Sequence, residues 1–289
     1  MSPTSKDSPD LPSEALQAME SLRWWIRAGV TDALDDTPHD RFAESLVKNP
    51  GPRDAPQATE PVRQSSPALS EAQARVAQTV SRSESPDAAE RSARALAQAA
   101  GDLDALRAAM AEFDGCALRR TATQLVFADG VPGSRVMFVG EAPGADEDRI
   151  GRPFVGRAGQ LLDRMLGAIG LDRETVYIAN VVPWRPPGNR TPTPQETQIC
   201  LPFIERQIEL ADPEYLVCLG ASALHTLVGV QTGIKRARGS WFAYSRPGGR
   251  EIRAFATFHP AYLLRQPAEK RFAWADMRAL ASALKAPTR

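Results

Sequence analysis

Apolar positions change their spacing along the chain, and each change marks a different kind of segment. Within residues 13–35, Leu16, Met19, Leu22, Ile26, Val30 and Leu34 recur at near-helical intervals around Trp24 and Trp25, which predicts an amphipathic helix in an N-terminal tail of residues 1–35. Residues 36–85 lose that pattern. Pro38, Pro50, Pro52, Pro56, Pro61 and Pro67 stand among Ser, Gln and charges there, with too few large apolar side chains to offset ordering entropy, so a disordered linker is expected. Residues 86–112 are Ala-rich and helical in character, and they lead into a domain expected to run from 86 to 289.

From residue 135 onward, apolar runs alternate with helical periods. Strands are predicted at 136–139, 176–182, 215–219 and 252–258, and helices at 159–169, 194–210, 221–228 and 269–284. Four strands separated by helices predict an α/β fold, a three-layer α/β/α sandwich about a central, mainly parallel four-stranded sheet. The carboxyl ends of parallel strands form one rim. Polar residues directly after the apolar runs, Gly140-Glu141-Ala142-Pro143-Gly144, Asn180, Gly220 and His259-Pro260, therefore converge on a single crevice.

Composition narrows the setting. Of 289 residues 43% are apolar, enough for a core, yet no apolar run approaches the roughly 20 residues that would span a bilayer. The polar start Met1-Ser2-Pro3-Thr4 lacks a signal peptide's apolar region, so a cytoplasmic protein without membrane contact is expected. Cys116, Cys200 and Cys218 are too few and too scattered for a disulfide framework, and reduced thiols are expected. Formal charge is zero overall but unevenly placed. Residues 1–112 carry 12 Lys and Arg against 18 Asp and Glu, and the remainder 23 against 17. A basic domain behind an acidic arm suits a polyanion ligand, although charge alone does not decide it.

The first motif places Glu141, Asp146, Glu147 and Asp148 within eight residues and lacks the lysine of a nucleotide-phosphate cradle. An acidic turn repels phosphate. Considered with 151–156 (Gly-Arg-Pro-Phe-Val-Gly), 177–182 (Tyr-Ile-Ala-Asn-Val-Val), 185–190 (Arg-Pro-Pro-Gly-Asn-Arg) and 259–264 (His-Pro-Ala-Tyr-Leu-Leu), it closely resembles the uracil-DNA glycosylase superfamily, specifically family 4, over roughly residues 113–286.

That resemblance implies a monofunctional glycosylase, a monomer acting on uracil-containing DNA, which draws the base from the stack and hydrolyses its N-glycosidic bond. It implies that Phe154 stacks on uracil, that Asn180 reads its Watson–Crick edge, and that His259 stabilises the departing base. Glu141 and Glu147 are the candidate acids that position water, with Glu147 preferred. In the segment after His259, Leu263 or Leu264 is the candidate wedge filling the space that the base leaves. Arg265 and Arg190 are expected to meet DNA.

Family 4 enzymes typically carry a four-iron, four-sulfur cluster on four cysteines. By the same resemblance two ligand positions hold Cys116 and Cys200, and the other two hold Phe113 and Trp184. Two thiolates do not complete the ligand set, so no cofactor is expected and an aromatic plug is expected in its place. Two other functions remain open: a non-catalytic or covalent uracil-DNA binder, and a nucleotide-binding enzyme on a Rossmann-like sheet. The N-terminal helix either docks a protein partner or packs on the chain's own domain; the second is preferred.

Overall fold

The computed structural model describes residues 85–245 and 251–285, so the predicted N-terminal helix and nearly all of the predicted linker lie outside the described residues. The sheet has six strands: β1 (Asp129–Gly130), β2 (Val136–Gly140), β3 (Tyr177–Asn180), β4 (Tyr215–Leu219), β5 (Trp241–Tyr244) and β6 (Ile252–Thr257). Their order is β1-β3-β2-β4-β6-β5. The four central strands are mutually parallel, and the two edge strands run antiparallel to their neighbours.

Side chains alternate between the two faces of these strands. Met137, Val139, Leu216, Cys218, Ala254 and Ala256 face one layer of helices. Val136, Phe138, Val217, Leu219 and Phe255 face the other. The first layer contains α1 (Pro86–Ala99), α2 (Leu103–Glu112), α5 (Pro194–Ala211) and α6 (Ala221–Val228); the second contains α4 (Arg157–Gly167) and α9 (Lys270–Lys285). The result is the expected three-layer sandwich. Because both faces are covered, the central strands carry apolar runs, interrupted only by the exposed Arg253 in β6, and this is what made them readable.

Local chemistry sets the helix ends. Ser85 caps α1 by accepting from Ala88 N at 3.3 Å, with Pro86 at the first helical position. Ala89, Ala93 and Ala97 form its buried stripe, whose small side chains allow close approach to α5. The Ala-rich stretch is two helices, because the Asp102 side chain accepts from Ala105 N at 2.8 Å and starts α2 afresh. Thr193 and Glu196 form a reciprocal capping box at the start of α5.

Several predicted bounds shift. The strand expected over 176–182 is regular only from Tyr177 to Asn180, although Val181 N and Val182 N still donate to Gly140 O and Glu141 O at 3.0 Å. Short helices α3 (Ala145–Ile150), α7 (Ile234–Ala237) and α8 (Pro260–Arg265) occupy stretches that carry no extended periodicity. The chain passes from β2 to β3 on one side, then crosses to β4 on the other. The carboxyl end of β2 thus sits at a topological switch point, where open sheets of this kind place ligands.

Candidate functional site

At the carboxyl ends of β2, β3 and β6 lies a cavity of about 430 Å³, lined by Glu141, Phe154, Asn180 and His259, among others. All four were named from the sequence, and the fold brings them together. Gly140 makes the convergence possible: a Cβ there would lie 2.5 Å from Asn180 Oδ1 and 2.6 Å from Phe154 Cζ. A larger residue there would displace both side chains.

The acidic motif divides into separate tasks. Glu147, which was the preferred water-positioning acid, has both oxygens engaged: Oε2 accepts from Gly144 N at 3.0 Å, and Oε1 from Val155 N at 2.9 Å and Gly156 N at 2.8 Å. It ties the start of α3 to the Phe154 loop and, like Glu141, also lines the cavity. Asp148 accepts from Thr123 N, Thr123 Oγ1 and Gln124 N, anchoring the preceding loop. Asp146 is paired on the surface with Arg149 at 3.5 Å.

Glu141 remains. It is half-buried, and its Oε1 has no hydrogen-bond partner within the protein. Burial raises its carboxyl above the ordinary value, opposed by hydrogen bonds with Ser222 and Thr191. Neither hydroxyl was singled out from the sequence, since nothing in their local spacing marks them.

Asn180 is 4% exposed, and its Oδ1 is, among the described residues, the other buried side-chain oxygen left without a protein partner. Buried polar atoms are nearly always hydrogen-bonded, so two such atoms on one cavity point to a ligand that completes them. The His259 ring lies 5.5 Å from the Phe154 ring, tilted by 33°. His259 Nδ1 accepts from Ala261 N at 3.1 Å, capping α8. Burial, with Arg265 contributing, pushes the His259 pKa down to about 4. The imidazole is therefore neutral near pH 7, and with Nδ1 accepting, its proton sits on Nε2 as a donor.

The expected DNA contacts fare unevenly. Leu263, one of the two wedge candidates, is 1% exposed and packs with Leu161, Phe258 and Ala273 in the core. The turn of α8 that directs it inward leaves Leu264 half-buried and Arg265 exposed at the cavity edge. Arg190 also lines the cavity, but its guanidinium forms a bidentate pair with Glu196 at 2.8 and 2.6 Å.

The four positions that the resemblance names as cluster-ligand sites lie together in a solid core. Phe113 stacks on Trp184 at 6.3 Å and meets Phe203 edge-on at 5.1 Å, with Phe113 and Trp184 nearly fully buried. Beside them Cys200 Sγ lies 3.9 Å from Cys116 Sγ, and hydrogen bonding to Cys116 together with burial raises the Cys200 thiol well above its ordinary value. Burial pushes Cys218 up to about 12. Two thiols beside packed aromatic rings do not supply the four thiolates of an iron–sulfur cluster.

Residues 127–278 match the family model described as the uracil DNA glycosylase superfamily. Among similar proteins is the type-4 uracil-DNA glycosylase of Thermotoga maritima, 48% identical over 151 residues that cover 52% of this chain and 77% of the relative. The type-4 uracil-DNA glycosylase of Archaeoglobus fulgidus is 44% identical over 156 residues, 53% of this chain and 78% of its own. That of Pyrobaculum aerophilum is 41% identical over 171 residues, 58% and 87% respectively.

Proposed function

Because the chain belongs to the uracil DNA glycosylase superfamily, we propose that the cavity at the ends of β2, β3 and β6 is its uracil pocket, with roles divided among Phe154, Asn180, His259 and Glu141. The activity is hydrolysis of the N-glycosidic bond of uracil in DNA, which leaves an abasic site for base excision repair. The observation that carries the assignment of roles is the unpartnered Asn180 Oδ1 across the cavity from a neutral His259.

Uracil offers an N3–H donor beside the O4 acceptor. Asn180 Oδ1 accepts from the first and its NH₂ donates to the second, whereas cytosine presents the reverse pattern and leaves both unpaired. Phe154 supplies the π-face against which the extruded base lies. As the bond from C1′ to N1 breaks, its electron pair moves onto the base, and His259 Nε2–H donates to the uracil O2 where negative charge gathers. The sugar becomes oxocarbenium-like. The Glu141 carboxylate stabilises it, orients a water toward C1′ and takes the water proton as the new C–O bond forms.

The test is a uracil-containing oligonucleotide treated with protein and then alkali, where cleavage at the uracil is expected. An intact strand, from a folded protein that still binds DNA, would overturn the reading. The covalent-binder alternative requires a nucleophilic His in the loop after β3, and 185–193 contain none. The nucleotide-binding alternative lacks a Gly-x-Gly-x-x-Gly after the first strand.

The reading extends to cofactor and setting. The Phe113–Trp184–Phe203 packing fills the place that an iron–sulfur cluster would take, and the enzyme works as a monomer without one. Anaerobically purified protein is expected to contain neither stoichiometric iron nor labile sulfide; one cluster's worth of both per chain would refute this. Among the described residues no helix is long and apolar enough to cross a membrane, and a cytoplasmic location accords with action on DNA.

A further inference from the structure

Phe154 holds a φ of +55°, a left-handed conformation that a bulky side chain keeps only when its surroundings impose it. The surroundings here come from three directions. Arg173, in the turn between α4 and β3, donates from Nη2 to the Phe154 carbonyl and from Nη1 to the Pro153 carbonyl at 3.1 Å. On the other side of the same segment Glu147 Oε1 receives the next two backbone N–H groups, as described above. From below, Gly159 comes so close that a Cβ there would lie 1.6 Å from the Phe154 carbonyl oxygen.

Arg173 is itself fixed. Its Nε donates to Asp163 at 2.8 Å, its Nη1 pairs with Asp129, and its side chain is only 22% exposed. Two carboxylates from different elements thus orient one planar fork so that its remaining donors fall on two successive carbonyls. Lysine cannot reproduce that arrangement, because an ammonium offers a point charge in place of a fixed fork. Arg173 does not line the cavity, so any influence on the reaction must pass through Phe154.

We infer that Arg173 is a positioning residue for uracil excision: it locks the strained Phe154 backbone so that the ring already stands against His259 when the base enters. The inference rests on the reading of Phe154 as the stacking residue. An unclamped Phe154 would relax out of the left-handed region and swing the ring away from the cavity, and the base would then be held out of line with His259 and Glu141.

A double-mutant cycle in the full chain separates this from a purely structural ion-pair hub. Arg173→Lys is expected to lower the single-turnover excision rate by about 100-fold, the scale on which a displacement near 1 Å acts. Binding to uracil-free duplex should be unchanged. Phe154→Ala should also be slow, and the double variant no slower than Phe154→Ala alone. Asp163→Asn, which removes one of the two carboxylates that orient the Arg173 fork, should show the same non-additivity and serves if Arg173→Lys folds poorly.

A wild-type rate for Arg173→Lys alongside a slow Phe154→Ala would overturn the clamp and leave the stacking role standing. Losses that multiply in the double variant would do the same. A wild-type rate for Phe154→Ala would remove the stacking role and the clamp with it.

Discussion

Asn180→Ala is expected to lower uracil excision by about 1,000-fold or more, because a site built to hydrogen-bond its substrate loses most when those bonds cannot form. The derivation starts from burial. Asn180 is 4% exposed at the end of β3, and Gly140 has no side chain to compete for the space around its Oδ1. The amide is held there without a protein partner for that oxygen, so its role shows in the complex and not in the fold. Thermal unfolding of the variant should therefore match that of the parent closely, while single-turnover excision collapses. A variant that unfolds early yet excises uracil at the parent rate when folded would show that Asn180 is a structural strand-end residue.

Glu141→Gln is expected to cost about 1,000-fold in the same rate, within the range that a positioned acid or base contributes. The amide keeps the shape of the side chain but neither stabilises a cationic sugar nor takes a proton. The pH profile gives an independent reading. The carboxyl must be ionised to work, and burial raises its pKa, so the rate should fall as pH drops, with the limb lying above the ordinary glutamate range. In Glu141→Gln that acid limb should vanish. Glu147→Gln should behave differently: its carboxylate serves three backbone N–H groups, so the limb should survive in whatever activity remains. A limb that disappears with Glu147 and persists with Glu141 would reverse the assignment.

The contrast between these two acids shows where sequence reading stops. Both stand in one motif six residues apart, and nothing local distinguishes them. What separates them is that Val155 and Gly156 fold back onto Glu147, a tertiary fact. Leu263 is a similar case. Apolar residues after His259 suit a wedge equally well, and only the turn of α8 decides that Leu263 joins Phe258 and Leu161 in the core.

By contrast the four central strands were legible, because burial on both faces writes each as an apolar run, and so was the convergence of their polar ends. The edge strands were not: β1 is two residues long and β5 is only half covered. Arg173 was invisible for another reason. It sits among Asp172 and Glu174, a charged stretch that reads as a solvated turn, and its task is defined by carbonyls that carry no sequence signature. Phe113 and Trp184 could be named only through the family resemblance, and their apolar character agrees with the ring packing seen between them.

The His259 ring performs two duties, since its Nδ1 closes the first turn of α8 while the residue lines the cavity. A single proton arriving on Nδ1 therefore undoes a piece of local folding in the same event that charges the ring. The folded chain resists that proton down to about pH 4, whereas the unfolded chain accepts it near the ordinary value of 6.5. As pH falls between those values protons favour the unfolded ensemble, and the penalty levels off only below the lower one. Acid tolerance of the whole domain is thus tied to the residue that meets the leaving base.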